Sequence, residues 1–278
     1  MKKALIFLLT AITFSLSSGC SETTVQLPEV TGNVEISILK TGQSDAIIMN
    51  TQKHNIVIDC GESDDGDEVV EYLQSKNAGS IDYLFITHFD KDHVGGVPEV
   101  LDNFSAKNIM IPDYEGNNSE YEDYLDSIQK HNYSPTIVKE KTSIVLDDVL
   151  LEIYPPKQKA YAEGDNDFSL VISINHGQNS FLFTGDAEKD RLYEVLTQTN
   201  QQYDFLKVPH HGKYNKLTKQ FIQKINPEYT VTTCSDKNPA EDEVVSVLNS
   251  VTDKNYYTKD GDVNILSDGK NITVNQTN

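Results

Sequence analysis

Two histidines and two aspartates fall within six residues of one another: His88, Asp90, Asp92 and His93, in the run Thr87-His88-Phe89-Asp90-Lys91-Asp92-His93-Val94-Gly95-Gly96. Imidazole and carboxylate are ligands for divalent transition metals. A solvated polar loop accounts for one or two such residues, but not for four placed directly after the apolar run Tyr83-Leu84-Phe85-Ile86. Alternate residues of an extended segment project to one side, which brings His88, Asp90 and Asp92 together, with His93 turning in behind them. Gly95 and Gly96 are expected to let backbone approach the ions and to take φ angles that other residues avoid. A helix is expected from Val94 to Phe104.

Two later motifs also end apolar strands. Thr184-Gly185-Asp186 follows the run Ser180 to Phe183, and His210-His211-Gly212 follows Phe205-Leu206-Lys207-Val208-Pro209. Neighbouring residues of an extended chain point apart. One of the tandem histidines is therefore expected to face a metal, and the other a substrate or a supporting acid. His211 is assigned to the metal and His210 to the substrate side.

The elements that must position these residues follow from periodicity. Val34 to Leu39, Gly42 to Met49 and Asn55 to Gly61 carry alternating β-branched residues across short turns, which predicts an antiparallel meander. Helical spacing marks Gly66 to Asn77, Glu120 to His131, Ala187 to Thr199 and Glu241 to Val251. Strands are expected over Lys107 to Ile111, in several pieces over Pro135 to Tyr154, and over Tyr229 to Cys234. Asp260-Gly261 and Asp268-Gly269 read as hairpin turns. Asp59, at a strand end, either orients a metal ligand from behind or caps the strand. His54, His131 and His176 read as turn or helix-end residues without a role in chemistry. Loops at strand ends are where an α/β scaffold places reactive groups, because the strand fixes the root of the loop. No long linker divides the chain, so one domain is expected over 34–278.

The chain of 278 residues carries a formal charge of −20, from 23 basic and 43 acidic side chains. That balance argues against broad, charge-driven binding of nucleic acid, which needs clustered Lys and Arg. At the amino terminus, Lys2-Lys3 and the short apolar run Ala4 to Leu16 read as a signal peptide over 1–19, too short for a comfortable membrane span. Ser17-Ser18-Gly19-Cys20 resembles a bacterial lipoprotein cleavage site, with Ser17 where leucine is usual. Cys20 would be the acylated residue and 20–33 a tether, a lipid anchor being preferred over plain secretion. Such a protein is extracytoplasmic and held at a membrane. Cys60 and Cys234 are then free to pair in an oxidising compartment.

Together these motifs resemble the metallo-β-lactamase superfamily, whose H-x-H-x-D-H signature here carries Asp90 in place of its second histidine. The variant T-H-x-D-x-D-H-x-G-G resembles the hydrolase domain of ComEC-type competence proteins and their free-standing relatives. Gly42-Gln43-Ser44-Asp45-Ala46 is similar to that group's G-Q-G-D-A turn, Asn166 and Ser169 to its N-x-x-S, and Asp186 to the aspartate of T-G-D. Lys207 to Gly212 matches K-V-x-H-H-G-S, with Lys213 standing for the serine. Asn238-Pro239 and Tyr256 (or Tyr257), Thr258 and Gly261 match later positions, whereas a following H-P is replaced by Glu241-Asp242-Glu243.

The resemblance implies an α/β fold, an αββα sandwich of two mixed β-sheets. It implies a metallohydrolase with two divalent metal ions: His88 and Asp90 at one, Asp92, His93 and His211 at the other, and Asp186 shared. A further histidine common in the superfamily has no evident counterpart. Oxygen-rich ligation makes Mn²⁺ a rival to Zn²⁺. A metal-activated hydroxide would attack, with Asp90 moving protons and His210 donating to an oxyanion or leaving group. Asp59, Asn166, Ser169 and Lys213 would support ligands or substrate, Lys213 either as a cation beside phosphate or as a solvated lysine. The implied substrate is a phosphodiester, small or nucleic acid such as DNA, outside the cytoplasm, with no obligate protein partner. Hydrolysis of a lactam, an ester or a phosphocholine ester, and a non-catalytic surface lipoprotein, are the alternatives.

Overall fold

The computed structural model of the chain describes residues 29–162, 164–199 and 201–277. The expected signal peptide over 1–19 and the acylated Cys20 lie outside them. The end of the expected tether is described, and it is docked: Thr31 and Gly32 donate their backbone N–H groups to Asp148 Oδ2, at 2.5 and 2.9 Å.

The first sheet is built from β1 (Val34–Ile38), β2 (Ala46–Asn50), β3 (Asn55–Cys60), β4 (Tyr83–Phe85), β5 (Ile109–Ile111) and β6 (Thr136–Ile137). The second contains β7 (Thr142–Leu146), β8 (Val149–Tyr154), β9 (Val171–His176), β10 (Asn179–Phe183), β11 (Phe205–Lys207), β12 (Tyr229–Thr232) and β13 (Lys254–Tyr257). The last two strands, β14 (Val263–Ser267) and β15 (Ile272–Gln276), return to the first sheet. Its order is β15-β14-β1-β2-β3-β4-β5-β6, against β13-β12-β11-β10-β9-β8-β7 in the second.

Each sheet combines an antiparallel meander with parallel strands, and only the parallel connections need helices. On the first sheet these are α1 (Gly66–Ser75), α2 (Lys91–Val94), α3 (Val97–Asn103) and α4 (Ser119–Lys130). On the second they are α5 (Lys189–Gln198), α6 (Thr218–Ile225) and α7 (Asp242–Asn249). The resulting αββα sandwich is the expected one, and the strand pattern explains it. Ile56 and Ile58 of β3 point between the sheets, while Val57 points under the helices. Phe181 and Phe183 of β10 do the same on the other side, with Leu182 beneath α5 and α6. Strands apolar on both faces must be covered on both faces.

Four details differ from expectation. The helix expected over Val94 to Phe104 is two helices, α2 and α3, because Asp90 in extended conformation starts the first one early. Gly95 and Gly96 have ordinary helical φ angles of −58° and −79°. Their role is close packing: a Cβ on Gly96 would lie 2.2 Å from the carbonyl oxygen of Cys60. Asp260-Gly261 is no hairpin turn, since it carries the chain from β13 in one sheet to β14 in the other. Cys60 and Cys234 are both buried and unpaired.

Candidate metal centre

Every cluster singled out in the sequence lies at one end of the sandwich, beyond the carboxyl ends of the parallel strands. Asp59 is next to last in β3, Thr87 and His88 follow β4, Asp186 follows β10, and His210 and His211 follow β11. Strand ends are the natural place, because the sheet holds several loop roots within reach of each other.

The hydrogen bonds of His88, His93 and His211 place a proton on one ring nitrogen of each. His93 Nδ1 lies 2.8 Å from Asp59 Oδ2, a carboxylate oxygen that only accepts, so Nδ1 carries the proton. His211 Nδ1 lies 3.0 Å from the carbonyl oxygen of Thr233 and is protonated for the same reason. Thr87 Oγ1 donates to Asp59 Oδ2 at 2.6 Å, which leaves its lone pairs to accept from His88 Nδ1 at 3.1 Å. All three rings therefore leave Nε2 as the nitrogen turned inward and open to a metal. None of these Nε2 atoms has a hydrogen-bond partner, and neither has the buried Oδ1 of Asp186.

Ligand atoms from Asp92, His93, Asp186 and His211 lie within 4.8 Å of one another. His93 Nε2 is 3.3 Å from Asp186 Oδ1, and His211 Nε2 is 3.1 Å from Asp186 Oδ2 and 3.3 Å from Asp92 Oδ2. Buried polar atoms without partners are costly, and a divalent cation would satisfy those of His93, His211 and Asp186 at once. Two nitrogens and two carboxylates suit Zn²⁺ or Mn²⁺.

His88 and Asp90 adjoin this group without joining it. The His88 ring centre is 4.1 Å from that of His93, and its Nε2 is 3.6 Å from Asp90 Oδ2. Asp90 is 37% exposed, so this second position opens to solvent. The structure thus presents one complete four-residue position and one built from fewer groups.

Electrostatics reinforce the arrangement. Burial alone would lower His211, but the carboxylates of Asp186 and Asp92 close to its Nε2 raise it to about 9. Burial would likewise lower His93, yet Asp186 and Asp59 bring it well above the ordinary imidazole value. Burial would raise Asp92, and the His211 imidazole beside it holds it below the usual carboxylate range. The pocket demands positive charge, and a metal ion or protons must provide it.

Behind the ligands runs a layer that motif reading left without a role. Thr233 Oγ1, within 2.9 Å of His211 Nδ1, donates to Asp45 Oδ1 at 2.7 Å. Asp45 Oδ2 is 2.6 Å from Nζ of Lys207, which is fully buried and 3.5 Å from Asp186 Oδ1. The signal for Lys207 was a charged residue inside the apolar run Phe205 to Val208. It shares the inward face with Phe205, and inward at this end means toward the site.

Ser169 and Asn166 hold the opposite wall. Ser169 Oγ accepts the backbone N–H of Asp186 at 3.1 Å, and Asn166 Nδ2 donates to Glu188 Oε1 at 3.3 Å. Gly185 has φ of 51°, and a Cβ there would press on Ser169 and Thr87, so the turn before Asp186 needs glycine.

His210 and His211 both lie in left-handed conformation, at φ of 46° and 53°. Such backbone strain persists only where surroundings over-determine it, and here each imidazole is fixed by its own partners. His210 Nδ1 is 2.7 Å from Glu188 Oε1, while its Nε2 is 2.9 Å from Lys213 Nζ. An ammonium only donates, so Nε2 of His210 accepts. The proton expected there for a leaving group lies instead on Nδ1, directed at Glu188.

Residues 39–234 match the model of the metallo-beta-lactamase superfamily, and the chain belongs to that family. It is 25% identical to ComE operon protein 3 of Bacillus subtilis (strain 168) over 230 residues, covering 76% of this chain and 30% of that protein. It is 23% identical to Recombination protein 2 of Haemophilus influenzae over 210 residues, covering 74% of this chain and 25% of that protein. The matched segment thus spans less than a third of either relative. Among solved structures, the metallo-beta-lactamase fold protein YhfI from Bacillus subtilis superposes with a TM-score of 0.53 at 10% identity. That match covers 81% of this chain and 95% of YhfI, and it is a likeness of fold.

Proposed function

We propose that this chain is a metal-dependent hydrolase of phosphodiesters, small ones or nucleic acid, acting outside the cytoplasm. The observation that carries the metallohydrolase reading is the convergence of buried, partnerless ligand atoms from His93, His211 and Asp186, completed by Asp92. Bound there, a divalent cation supplies Lewis acidity and an activated water near neutral pH. The chain's own residues do the rest. Asp59 and Thr233 fix the rings of His93 and His211, and Ser169 fixes the backbone of Asp186. The open flank at Asp90 gives substrate access, and Asp90 is the exposed carboxylate able to move a proton there.

Two features support a phosphodiester over a lactam or carboxylic ester. Lys213 sets a cation at the site, a suitable partner for phosphate oxygens. The matches to competence and recombination proteins point to nucleic acid or its fragments. Against a long polyanion stands the charge of −20, so short substrates are favoured. Export and lipid anchoring through Cys20 are part of the proposal, and rest on Lys2-Lys3, the apolar Ala4 to Leu16 and Cys20.

The test is a panel assay of the purified protein loaded with Zn²⁺ or Mn²⁺. Bis(p-nitrophenyl) phosphate, single-stranded DNA and a lactam would be compared. Turnover of the phosphodiesters, abolished by chelator, is expected; turnover of the lactam alone would overturn the substrate assignment.

A further inference from the structure

Glu188 sits at the start of α5 and yet does not cap it. The cap comes from Asp167, whose Oδ1 accepts the backbone N–H groups of Glu188 at 2.8 Å and Arg191 at 3.1 Å. An N-cap carboxylate usually serves its own helix. Relieved of that role, the Glu188 side chain turns to His210, with Oε1 2.7 Å from Nδ1. Asn166 Nδ2, at 3.3 Å, holds the same oxygen from the other side. The far nitrogen of His210 receives Lys213 Nζ at 2.9 Å and lies 3.7 Å from Asp186 Oδ2.

The order of charges is therefore carboxylate, neutral imidazole, ammonium. The imidazole donates to Glu188 and accepts from Lys213, which is possible only in the Nδ1–H tautomer. In the other tautomer Nε2–H would face an ammonium that has no lone pair, and the lysine would be released. Lys213 is solvent-exposed with a long flexible stem, so this contact is what gives it a place. Two of its three N–H groups stay free, while its imidazole partner lies 3.7 Å from Asp186 Oδ2.

We propose that Glu188 is a positioning residue, acting through the tautomer of His210 to hold the Lys213 ammonium as an anion-binding group for a non-bridging phosphate oxygen. The inference rests on the phosphodiester reading for its ligand, though not for its geometry. It also accounts for the left-handed backbone of His210, which presents one ring edge to α5 and the other to Lys213.

The experiment has two arms. In the first, histidine ¹⁵N shifts of the metal-free protein are read at neutral pH, with the His210 signals identified by their loss in His210→Gln. The expected pattern is a protonated Nδ1 and a bare Nε2 in the wild type. Glu188→Gln, whose carbonyl still accepts from Nδ1–H, should keep it, and Glu188→Ala should populate Nε2–H. In the second arm, inorganic phosphate is titrated into the metal-loaded protein. Lys213→Met and Glu188→Ala should each weaken binding about tenfold, and Glu188→Gln should bind nearly as the wild type, the scale typical of groups that act behind a metal site.

An unchanged His210 tautomer in Glu188→Ala, or unchanged phosphate affinity in Lys213→Met, would overturn the proposal. The first arm uses neither metal nor substrate. A protein that hydrolyses none of the panel while showing the expected tautomers and affinities would refute the hydrolase reading and leave this one standing.

Discussion

His93 Nε2 faces Asp186 Oδ1 across 3.3 Å, while its other ring nitrogen is tied to Asp59 at 2.8 Å. The ring is thus aimed from behind by one aspartate at another, with Nε2 left as the position for a metal. Removing the rear aspartate should loosen the aim without removing a ligand. Asp59→Asn is expected to weaken metal binding about 10–100-fold, as outer partners of ligating histidines do. Calorimetric titration with Zn²⁺ measures it. An affinity equal to the wild type would show that Asp59 only ties Thr87 in place.

Lys207 should matter to folding before it matters to chemistry. Its ammonium is fully buried between Asp45 and Asp186. Lys207→Met removes one partner and leaves buried carboxylates uncompensated, a change that costs about 3–5 kcal/mol. Thermal unfolding without metal should show the loss, and added Zn²⁺ should restore part of it by replacing the missing charge. A variant as stable as the wild type without metal would contradict this account of the pair.

The motif residues were legible because strand, loop and ligand types coincide in short windows. His88, Asp92, His93, Asp186 and His211 each follow an apolar run, and period-two alternation placed those runs in two sheets. The supporting layer was hidden for a physical reason. Asp45 and Thr233 are 188 residues apart in sequence, and only the packing of the two sheets makes them partners. Glu188 belongs to no sequence motif, and its side chain is freed for His210 only because Asp167 caps α5. His176 read as a harmless turn residue, whereas it ends β9 fully buried, with Nδ1 2.7 Å from Ser267 Oγ. The helix break at Gly95-Gly96 was missed because backbone packing against Cys60 leaves no trace in side-chain periodicity.

The stability of the wall around Ser169 should depend on pH through Asp167. Burial raises this carboxyl, against the backbone hydrogen bonds from Arg191 and Glu188, from 3.8 to about 6. A folded-state value above the unfolded one contributes stability that is fully present below pH 3.8 and lost as pH rises through about 6. Relative to Asp167→Asn, the wild type should therefore lose stability across that interval. Chemical denaturation at pH 4 and pH 7 gives the difference, and a constant difference would refute the assignment.

The open position beside the complete one should fill and empty separately. His88→Ala takes away its only imidazole and leaves Asp92, His93, Asp186 and His211 in place. Stoichiometry by calorimetry is expected to fall from two ions to one, with the tighter ion retained. Loss of both ions together would mean that His88 belongs to a single shared centre.

Metal content measured by elemental analysis beside phosphodiester hydrolysis, for the wild type and Asp186→Asn, tests the metal centre most directly. Asp186 makes the short contacts with both His93 and His211, and the amide keeps its shape while removing its charge. The wild type should carry divalent metal and turn over substrate, and Asp186→Asn should lose most of both. A wild type that retains no metal, or an Asp186→Asn protein that matches it in metal and rate, would contradict the account.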